Sequence, residues 1–354
     1  MIIKNIKLSN FRNYDNLKLE LSEGVNIFYG DNAQGKTNIL EAIFLCAFGK
    51  SFRTTREKEL IKLGEENARI KVEYSKKDRD GNILICISDK KQILVNGVKI
   101  KKLSELLGKI NIVIFTPDDI NILKGTPALR RRFLDMMIGQ LRPNYVHNLN
   151  LYLKTLEQRN NYLRQIKELN KPENMLEIWD EKLSEYAEII CKYRIEFIKK
   201  LNNKIKKIHS EVTEDKEKLE INYITECENK ENYLALLKQR RKLDIIKGFT
   251  TKGIHRDDFK CLINDKEIEI YGSQGQRRTA ILSLKLAELY VIYDEIGEYP
   301  ILLLDDFMSE LDEKRRKSFL SYIKDTQVII TCTDKMELEN IKLFNVTNGK
   351  IVDN

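Results

Sequence analysis

The chain has 354 residues, of which 42% are hydrophobic, 33% are charged and only 5 are proline, which excludes a collagen-like, mucin-like or wholly disordered protein. The 62 Lys and Arg outnumber the 54 Asp and Glu, and this mild basic excess permits a nucleic-acid partner without requiring one. There is no run of about 20 apolar residues, no signal peptide, and too few clustered Cys and His for a zinc site or a disulfide framework, so we expect a cytoplasmic protein.

Strands are predicted along the first hundred or so residues. Apolar and polar residues alternate at residues 70–74, after a short apolar-polar run at residues 2–11. Asn96-Gly97 is a dipeptide favoured in tight hairpins because both residues tolerate a positive φ. Residues 110–115 form a further buried-strand candidate that stops before Pro117.

The middle of the chain is predicted to be helical. From about residue 128 to 247 apolar residues recur at helical spacing, and Pro143 and Pro172 divide the segment into several helices. Strand signals then return, and residues 301–304 and 328–330 are typical of fully buried parallel strands. We therefore expect an α/β domain of residues 1–116 plus 248–354, interrupted by a mainly helical domain of residues 117–247.

Residues 30–37 match the phosphate-binding motif G-x-x-x-x-G-K-[ST], or Walker A, in full. A plausible strand at 25–29 enters the motif and a plausible helix at 38–44 leaves it, so backbone N–H groups and the helix N-terminus would face an anion. Lys36 would neutralise the β- and γ-phosphates, and the Thr37 hydroxyl would ligate Mg²⁺. The predicted nucleotide contacts are Gly30, Asp31, Asn32, Ala33, Gln34, Gly35, Lys36, Thr37 and Asn38.

Two carboxylates, Asp305 and Asp306, follow the apolar strand at 301–304, as in a Walker B motif. Asp305 would reach Mg²⁺ through its water shell, and Asp306 would orient or deprotonate the attacking water. The alternative is an ordinary strand followed by a helix-capping Asp. The preceding phosphate loop favours the nucleotide role.

A third motif, Ser273-Gln274-Gly275-Gln276, precedes a good helix at 277–290, about 30 residues before Asp305. A small hydroxyl and a glycine at a helix N-terminus expose N–H groups to a phosphate. Alone, the motif would indicate an ordinary Ser N-cap. Its position relative to Walker B makes Ser273 a candidate catalytic residue, and Gly275 and Gln276 candidate nucleotide contacts.

The order of these three motifs resembles the ABC-type ATPase heads of chromosome-maintenance and DNA-repair proteins, with residues 309–312 similar to their D-loop. Further segments, spread along essentially the whole chain, resemble the RecF family of bacterial recombination mediators. They are Phe11-Arg12-Asn13-Tyr14, Gly49-Lys50-Ser51-Phe52-Arg53-Thr54, Thr116-Pro117-Asp118-Asp119, Lys124-Gly125-Thr126-Pro127, Arg130-Arg131-Arg132-Phe133-Leu134-Asp135 and Gly253-Ile254-His255-Arg256-Asp257-Asp258.

This resemblance implies an ABC-type P-loop ATPase head with an inserted mainly helical second domain, and ATP and Mg²⁺ as cofactors. It implies that Arg12 contacts the nucleotide and that Ser273 acts in trans across an ATP-dependent homodimer. It further implies DNA replication, repair and the SOS response, with binding at duplex or single-strand gap junctions and help from mediator proteins in loading the RecA recombinase.

The sequence departs from the wider ABC pattern in three places. Asp306 stands where that class usually has Glu, and its shorter side chain predicts slow ATP hydrolysis, so we expect a weak DNA-dependent ATPase. Residues 331–333 (Thr-Cys-Thr) occupy the expected place of the switch histidine, and no Q-loop glutamine is evident near residues 115–119. How the γ-phosphate is sensed is left open by these motifs.

Basic stretches in the middle of the chain are candidate DNA contacts, because Lys and Arg neutralise backbone phosphates without reading sequence. The alternative for residues 130–132 is a set of buried ion pairs at the domain junction. The motif at 253–258 could equally be structural or lie near the nucleotide. The candidates for DNA are Arg130, Arg131, Arg132, Lys204, Lys207, Arg240 and Arg241, with Lys199, Lys200, Lys206 and Lys242 in the same stretches.

Two other functions share some of these motifs. The ATPase subunit of a membrane transporter would also have Walker A, signature and Walker B, but the missing switch histidine and the inserted helical segment argue against it. A DNA-binding scaffold that binds ATP without turnover also remains open, and the Asp306→Ala variant would distinguish it.

Overall fold

A computed structural model describes residues 1–77, 79–307, 313–323, 325–334 and 341–352. The strands are β1 (Ile2–Phe11), β2 (Tyr14–Glu20), β3 (Val25–Tyr29), β4 (Ala68–Lys76), β5 (Arg79–Ile87), β6 (Gln92–Val95), β7 (Val98–Lys99), β8 (Ile112–Phe115), β9 (Leu219–Ile224), β10 (Asp258–Ile263), β11 (Lys266–Glu267), β12 (Ile301–Asp305), β13 (Val328–Cys332), β14 (Ile341–Thr347) and β15 (Lys350–Val352). The helices are α1 (Lys36–Phe48), α2 (Ile120–Lys124), α3 (Pro127–Gly139), α4 (Pro143–Leu169), α5 (Leu176–Thr213), α6 (Lys230–Lys247), α7 (Ile268–Tyr271), α8 (Gln274–Ile296) and α9 (Glu313–Tyr322).

The chain forms two compact units, with boundaries after Asp119 and inside α8 after Leu284. The first unit comprises Met1–Asp119 and Lys285–Asn354, and the second comprises Ile120–Leu284. The second unit therefore extends to Leu284 and not to residue 247, the boundary expected from the sequence. The physical reason is that β10, which lies beyond residue 247, pairs along its whole length with β9 of the helical segment.

The described part of the first unit contains two sheets. One is antiparallel, in the order β2-β1-β4-β5-β6-β7, and Asn96 and Gly97 form its last turn with φ of 50° and 79°, as the sequence predicts. The other, in the order β15-β14-β3-β13-β12-β8, pairs β14, β3, β13, β12 and β8 in parallel.

The parallel strands β8, β12 and β13 are buried on both faces. Residues 301–304 of β12 and 328–330 of β13 are fully buried, as predicted from their unbroken apolar runs. Burying each such side chain contributes about 1.5–3 kcal/mol relative to leaving it in water. Because the strands are parallel, their carboxyl ends, including Tyr29, Asp305 and Cys332, lie along one edge of the sheet.

The second unit is mainly helical, with the three-stranded sheet β11-β10-β9. Pro143 begins α4 and Pro172 lies between α4 and α5, so the prolines separate helices as predicted. Strand β9 was not predicted. It is short and lies in an acidic stretch, and it is stabilised by pairing with β10, which follows more than thirty residues later. In the described residues, no helix is both long and apolar enough to cross a membrane.

Candidate nucleotide-binding site and candidate DNA contacts

The predicted phosphate loop connects β3 to α1, as the motif requires. Gly35 is the N-cap of α1 with φ of 112°, and Gly30 has φ of 142°. A Cβ atom at Gly30 would collide with the Val346 carbonyl oxygen, so only glycine fits at this position. The loop apex, Asp31 to Ala33, is exposed. The backbone thus forms a tight, glycine-dependent turn at a helix N-terminus, the geometry that suits an anion.

Lys36 lies inside this loop. Its side chain is buried, and Nζ donates to the carbonyl oxygens of Gly30 (2.5 Å) and Asp31 (2.7 Å). The ammonium group is therefore held at the centre of the turn, where it adds to the positive end of the α1 dipole.

Two turns from other parts of the first unit support the loop. Asn13 Nδ2 donates to the Gln34 carbonyl oxygen (2.8 Å), and the Tyr14 hydroxyl donates to the Gly35 carbonyl oxygen (3.1 Å). From the β14–β15 turn, the Asn348 N–H donates to Gln34 Oε1 (2.6 Å). Asn13 and Tyr14 belong to a family segment but carry no local signal of this role, because their partners lie some twenty residues away.

The Walker A and Walker B motifs meet at one hydrogen bond. The Thr37 hydroxyl donates to Asp305 Oδ1 at 2.7 Å, although the residues are 268 positions apart. Thr331, next to Asp305 on β13, donates to the same oxygen at 2.8 Å. Burial raises the pKa of the Asp305 carboxyl, and the two hydroxyl donors oppose that shift. The two residues predicted to hold the metal are thus in contact.

Asp306 follows with an unusual backbone. Its φ is 50°, in the left-handed region that few non-glycine residues adopt, and its N–H donates to the hydroxyl (3.0 Å) and the carbonyl oxygen (3.2 Å) of Thr331. The D-loop candidate at residues 309–312 lies outside the described residues.

Arg12, predicted to contact the nucleotide, binds a buried carboxylate on α1. Its Nε and Nη2 donate to the two oxygens of Glu41 at 2.8 and 2.6 Å, and Nη1 donates to the Glu59 carbonyl oxygen at 2.8 Å. Glu41 is fully buried and also accepts from the Ser51 hydroxyl (2.5 Å) and Arg53 (3.4 Å). Two of the family segments therefore converge on Glu41, which sequence reasoning missed because an acid in a helix carries no local signal of burial.

Asn38, the last predicted nucleotide contact of the loop, hydrogen-bonds to both Asn13, which supports the phosphate loop, and Arg53, which contacts Glu41. Its Nδ2 donates to Asn13 Oδ1 (2.8 Å), and its Oδ1 accepts from Arg53 (2.7 Å). Its hydrogen bonds in this structure are therefore to neighbours of the phosphate loop.

The Ser-Gln-Gly-Gln motif lies in the second unit at the start of α8. The Ser273 hydroxyl accepts from the Gln276 N–H (3.1 Å), while Gln276 Oε1 accepts from the Ser273 N–H (2.9 Å). This reciprocal pair is a capping box. Gln276 Nε2 also donates to Glu217 Oε1 (3.0 Å), whereas Ser273 is exposed and Gly275 half-buried. The N-cap role anticipated for Ser273 is present, and its exposed side chain leaves room for a second one.

The arginines at 130–132 are in different environments. Arg130 is buried and forms a two-bond ion pair with Asp258 (2.6 and 2.9 Å), and it also donates to the Gly125 carbonyl oxygen. This geometry favours the structural alternative for Arg130, within the second unit itself. Arg131 is half-buried and donates to the Asp257 carbonyl oxygen (2.7 Å), whereas Arg132 is exposed.

The other basic candidates also differ in exposure. Arg241 donates to the fully buried Asp180 at 3.0 Å, so it too has a structural partner. Lys207 is exposed, whereas Lys204 and Arg240 are half-buried. Of the seven principal DNA candidates (Arg130, Arg131, Arg132, Lys204, Lys207, Arg240 and Arg241), Arg132 and Lys207 are the exposed ones. Lys199 and Lys242 are exposed too, Lys206 approaches Glu220 at 3.6 Å, and Lys200 pairs with Glu196.

The His255 motif belongs to the polar core of the second unit. His255 Nδ1 lies 2.8 Å from the Tyr152 hydroxyl and Nε2 lies 3.2 Å from the Thr250 carbonyl oxygen. Burial lowers the pKa of His255 to about 4. Asp257 hydrogen-bonds to Tyr223 and lies 3.5 Å from the buried Arg194. These contacts favour the structural alternative for this motif.

Comparisons with known proteins agree on one family. The family model described as RecF/RecN/SMC N terminal domain matches residues 2–351. The DNA replication and repair proteins RecF of Clostridium perfringens (strain SM101 / Type A) and Clostridium botulinum (strain Alaska E43 / Type E3) are 46% and 48% identical, over 99% and 100% of both chains. A solved structure of the recombination mediator protein RecF-ATP in the RecFOR pathway is 42% identical, with a TM-score of 0.94 over 99% of this chain and 96% of that one. An Smc head domain from Pyrococcus furiosus, 18% identical with a TM-score of 0.58, shares the fold alone.

The fold and the joined Walker motifs define an ABC-type P-loop ATPase head of the RecF/RecN/SMC class. Within that class, the chain belongs to the family of the DNA replication and repair protein RecF. Both the resemblance and the fold class predicted from the sequence are confirmed. The comparisons also support a function in replication and repair over the transporter alternative.

Proposed function

We propose that this protein binds DNA in an ATP-dependent manner during replication and recombinational repair. ATP would close a homodimer on duplex or gapped DNA, and slow hydrolysis would release it. The observation that carries this proposal is the 2.7 Å hydrogen bond from Thr37 to Asp305, because it joins the two halves of a nucleotide site from opposite ends of the chain.

The donors present fit ATP and Mg²⁺. A glycine turn with a buried lysine at a helix N-terminus suits the phosphates, and the contacting hydroxyl and carboxylate of Thr37 and Asp305 are the oxygen ligands that Mg²⁺ prefers. The metal would neutralise charge on the phosphates when bound. Lys36 would contribute its ammonium group to the same charge, and Asp306 would orient the attacking water.

Ser273 would act on the nucleotide of the partner subunit. An exposed hydroxyl at the N-terminus of α8 can donate to a phosphate while its oxygen continues to cap the helix. Ser273→Arg should abolish ATP-dependent dimerisation in analytical ultracentrifugation while sparing ATP binding. Ser273→Asp separates the two roles, because Asp keeps the cap but repels a phosphate. An intact ATP-dependent dimer in both variants would refute the contact in trans.

Asp306 would make hydrolysis slow. Its side chain is one methylene shorter than that of the glutamate usual in this class, so it should hold the attacking water less well. We therefore expect slow ATP turnover, with ATP acting to switch the protein between two states. A basal turnover of tens per second without any partner would contradict this. Asp306→Ala should lower the rate. No change in an already negligible rate would favour a scaffold without turnover.

DNA binding is tested by fluorescence anisotropy. Labelled duplex, single-stranded and gapped DNA would be titrated with protein, with and without Mg-ATP, at two salt concentrations. ATP-stimulated, salt-sensitive binding to duplex or gapped DNA is the expected result, since phosphate neutralisation releases counterions. No binding under any nucleotide condition would refute the DNA-binding function.

The wider setting follows from the family. We propose that the first unit is the ATP-binding head and the second unit the other lobe, and that the protein works in the cytoplasm with recombination mediators that load the recombinase at single-strand gaps. The solved relative described as a mediator of the RecFOR pathway supports these partners. Co-precipitation of those mediators on gapped DNA would test them.

A further inference from the structure

Thr331 is a buried polar residue at the centre of the candidate site that none of the predicted roles uses. Its side chain is 1% exposed, and it pairs in register with Asp305 on the neighbouring parallel strand. Its hydroxyl donates to Asp305 Oδ1 (2.8 Å) and accepts from the Asp306 N–H (3.0 Å). One hydroxyl therefore contacts both residues of the Walker B motif.

These contacts restrict both carboxylates. Asp305 Oδ1 accepts from Thr331 and from Thr37, so rotation of the carboxylate would break two hydrogen bonds at once. Asp306 has φ of 50°, which is unfavourable for a residue with a side chain, and its N–H is held by the hydroxyl and the carbonyl oxygen of Thr331. The backbone conformation that directs the Asp306 side chain thus depends in part on Thr331.

We propose that Thr331 is a positioning residue, whose hydroxyl sets the orientation of Asp305 and the backbone of Asp306 for Mg²⁺ and for water. This inference rests on the proposed function and deepens it. Its neighbour Thr333 is directed elsewhere, since its hydroxyl donates to Asp334 (3.1 Å). The assignment is therefore specific to Thr331 in β13 and does not extend to Thr333, which follows the strand.

Three variants separate positioning from structure. Thr331→Val keeps the shape and removes the hydroxyl, whereas Thr331→Ser keeps the hydroxyl. Thr326→Val is the matched control in the same unit, because the buried Thr326 hydroxyl has no hydrogen-bond partner among the described residues. Its loss should be neutral, since no hydrogen bond is broken.

The first readout is the binding of a fluorescent ATP analogue, titrated with Mg²⁺ and repeated in EDTA. Losing one hydrogen bond to a charged group changes an equilibrium constant about tenfold. We expect Thr331→Val to need roughly tenfold more Mg²⁺ for half-maximal binding, with affinity in EDTA unchanged, and a kcat at least tenfold lower. Thr331→Ser should stay within about twofold of wild type.

Two results would overturn the assignment. One is a Mg²⁺ dependence in Thr331→Val equal to that of wild type, and the other is a Thr331→Ser variant as defective as Thr331→Val. If the wild-type protein itself showed no Mg²⁺-dependent ATP binding, the proposed function would fail together with this inference. If the wild type does bind ATP in a Mg²⁺-dependent manner and Thr331→Val shows the same Mg²⁺ dependence, only this inference would be overturned.

Discussion

Glu41 is a buried charge on the helix that follows the phosphate loop, and replacing it with Gln should destabilise the protein strongly. The carboxylate is fully buried and accepts two hydrogen bonds from Arg12 and one from Ser51. Gln fills nearly the same volume but is uncharged, and its amide NH₂ would face the donors of Arg12 or Ser51. Arg12 would then be a mostly buried cation without its counter-charge.

Breaking a buried ion pair costs about 3–5 kcal/mol. The Arg12 side chain is 18% exposed, so water can partly replace the lost partner, and we expect the lower end, about 3 kcal/mol. For a cooperative unit of 150–250 residues this corresponds to a drop in Tm of roughly 6–12 °C. The assay is thermal and urea unfolding, followed by circular dichroism without nucleotide.

The control is Glu23→Gln, which removes the same charge from an exposed residue and should change stability by less than about 0.5 kcal/mol. A double-mutant cycle with Arg12→Gln should give a coupling energy of about 2 kcal/mol, since the two side chains share two hydrogen bonds. If the free energy of unfolding of Glu41→Gln lay within 0.5 kcal/mol of the wild-type value, the change would be no larger than that expected for the control. The argument from burial would then be wrong.

Three further predictions concern the second unit. Arg130→Met should lower the free energy of unfolding by about 3 kcal/mol, because it leaves Asp258 without its buried partner. The salt dependence of DNA binding should stay the same, and a smaller slope of log K against log salt would identify Arg130 as a phosphate contact. Burial holds the pKa of His255 at about 4 in the folded protein, against 6.5 in the unfolded chain. The unfolded chain therefore binds the extra proton first, and the free energy of unfolding should fall by on the order of 3 kcal/mol as the pH drops from about 6.5 to 4. His255→Gln should show a flatter pH profile in urea unfolding, and an unchanged profile would contradict this. Arg132→Glu with Lys207→Glu should weaken DNA binding in anisotropy and reduce the slope of log K against log salt by about 1–2, whereas an unchanged slope would exclude both as phosphate contacts.

Features with local causes were predictable from the sequence. The phosphate loop is contiguous, so its glycines, lysine and threonine identify the turn, and the strand and helix around it were predicted to within a few residues. The parallel strands β12 and β13 followed from short apolar runs for the same reason. Strand β9 was missed, since its stability comes from pairing with β10 rather than from its own residues.

Partner choice and burial depended on the tertiary structure. The hydrogen bonds of Asp305 with Thr37 and with Thr331 require that β3, β13 and β12 lie side by side, and no spacing in the chain encodes that register. The same holds for Arg130: it looks like a phosphate contact in a basic run, yet the fold buries it against Asp258, a residue 128 positions away. The sequence by itself determined the class of site and its anion-binding loop, because those depend on neighbouring residues. Which polar side chains face water and which are sequestered was decided only when distant strands and helices packed together, because desolvation is a property of the assembled fold.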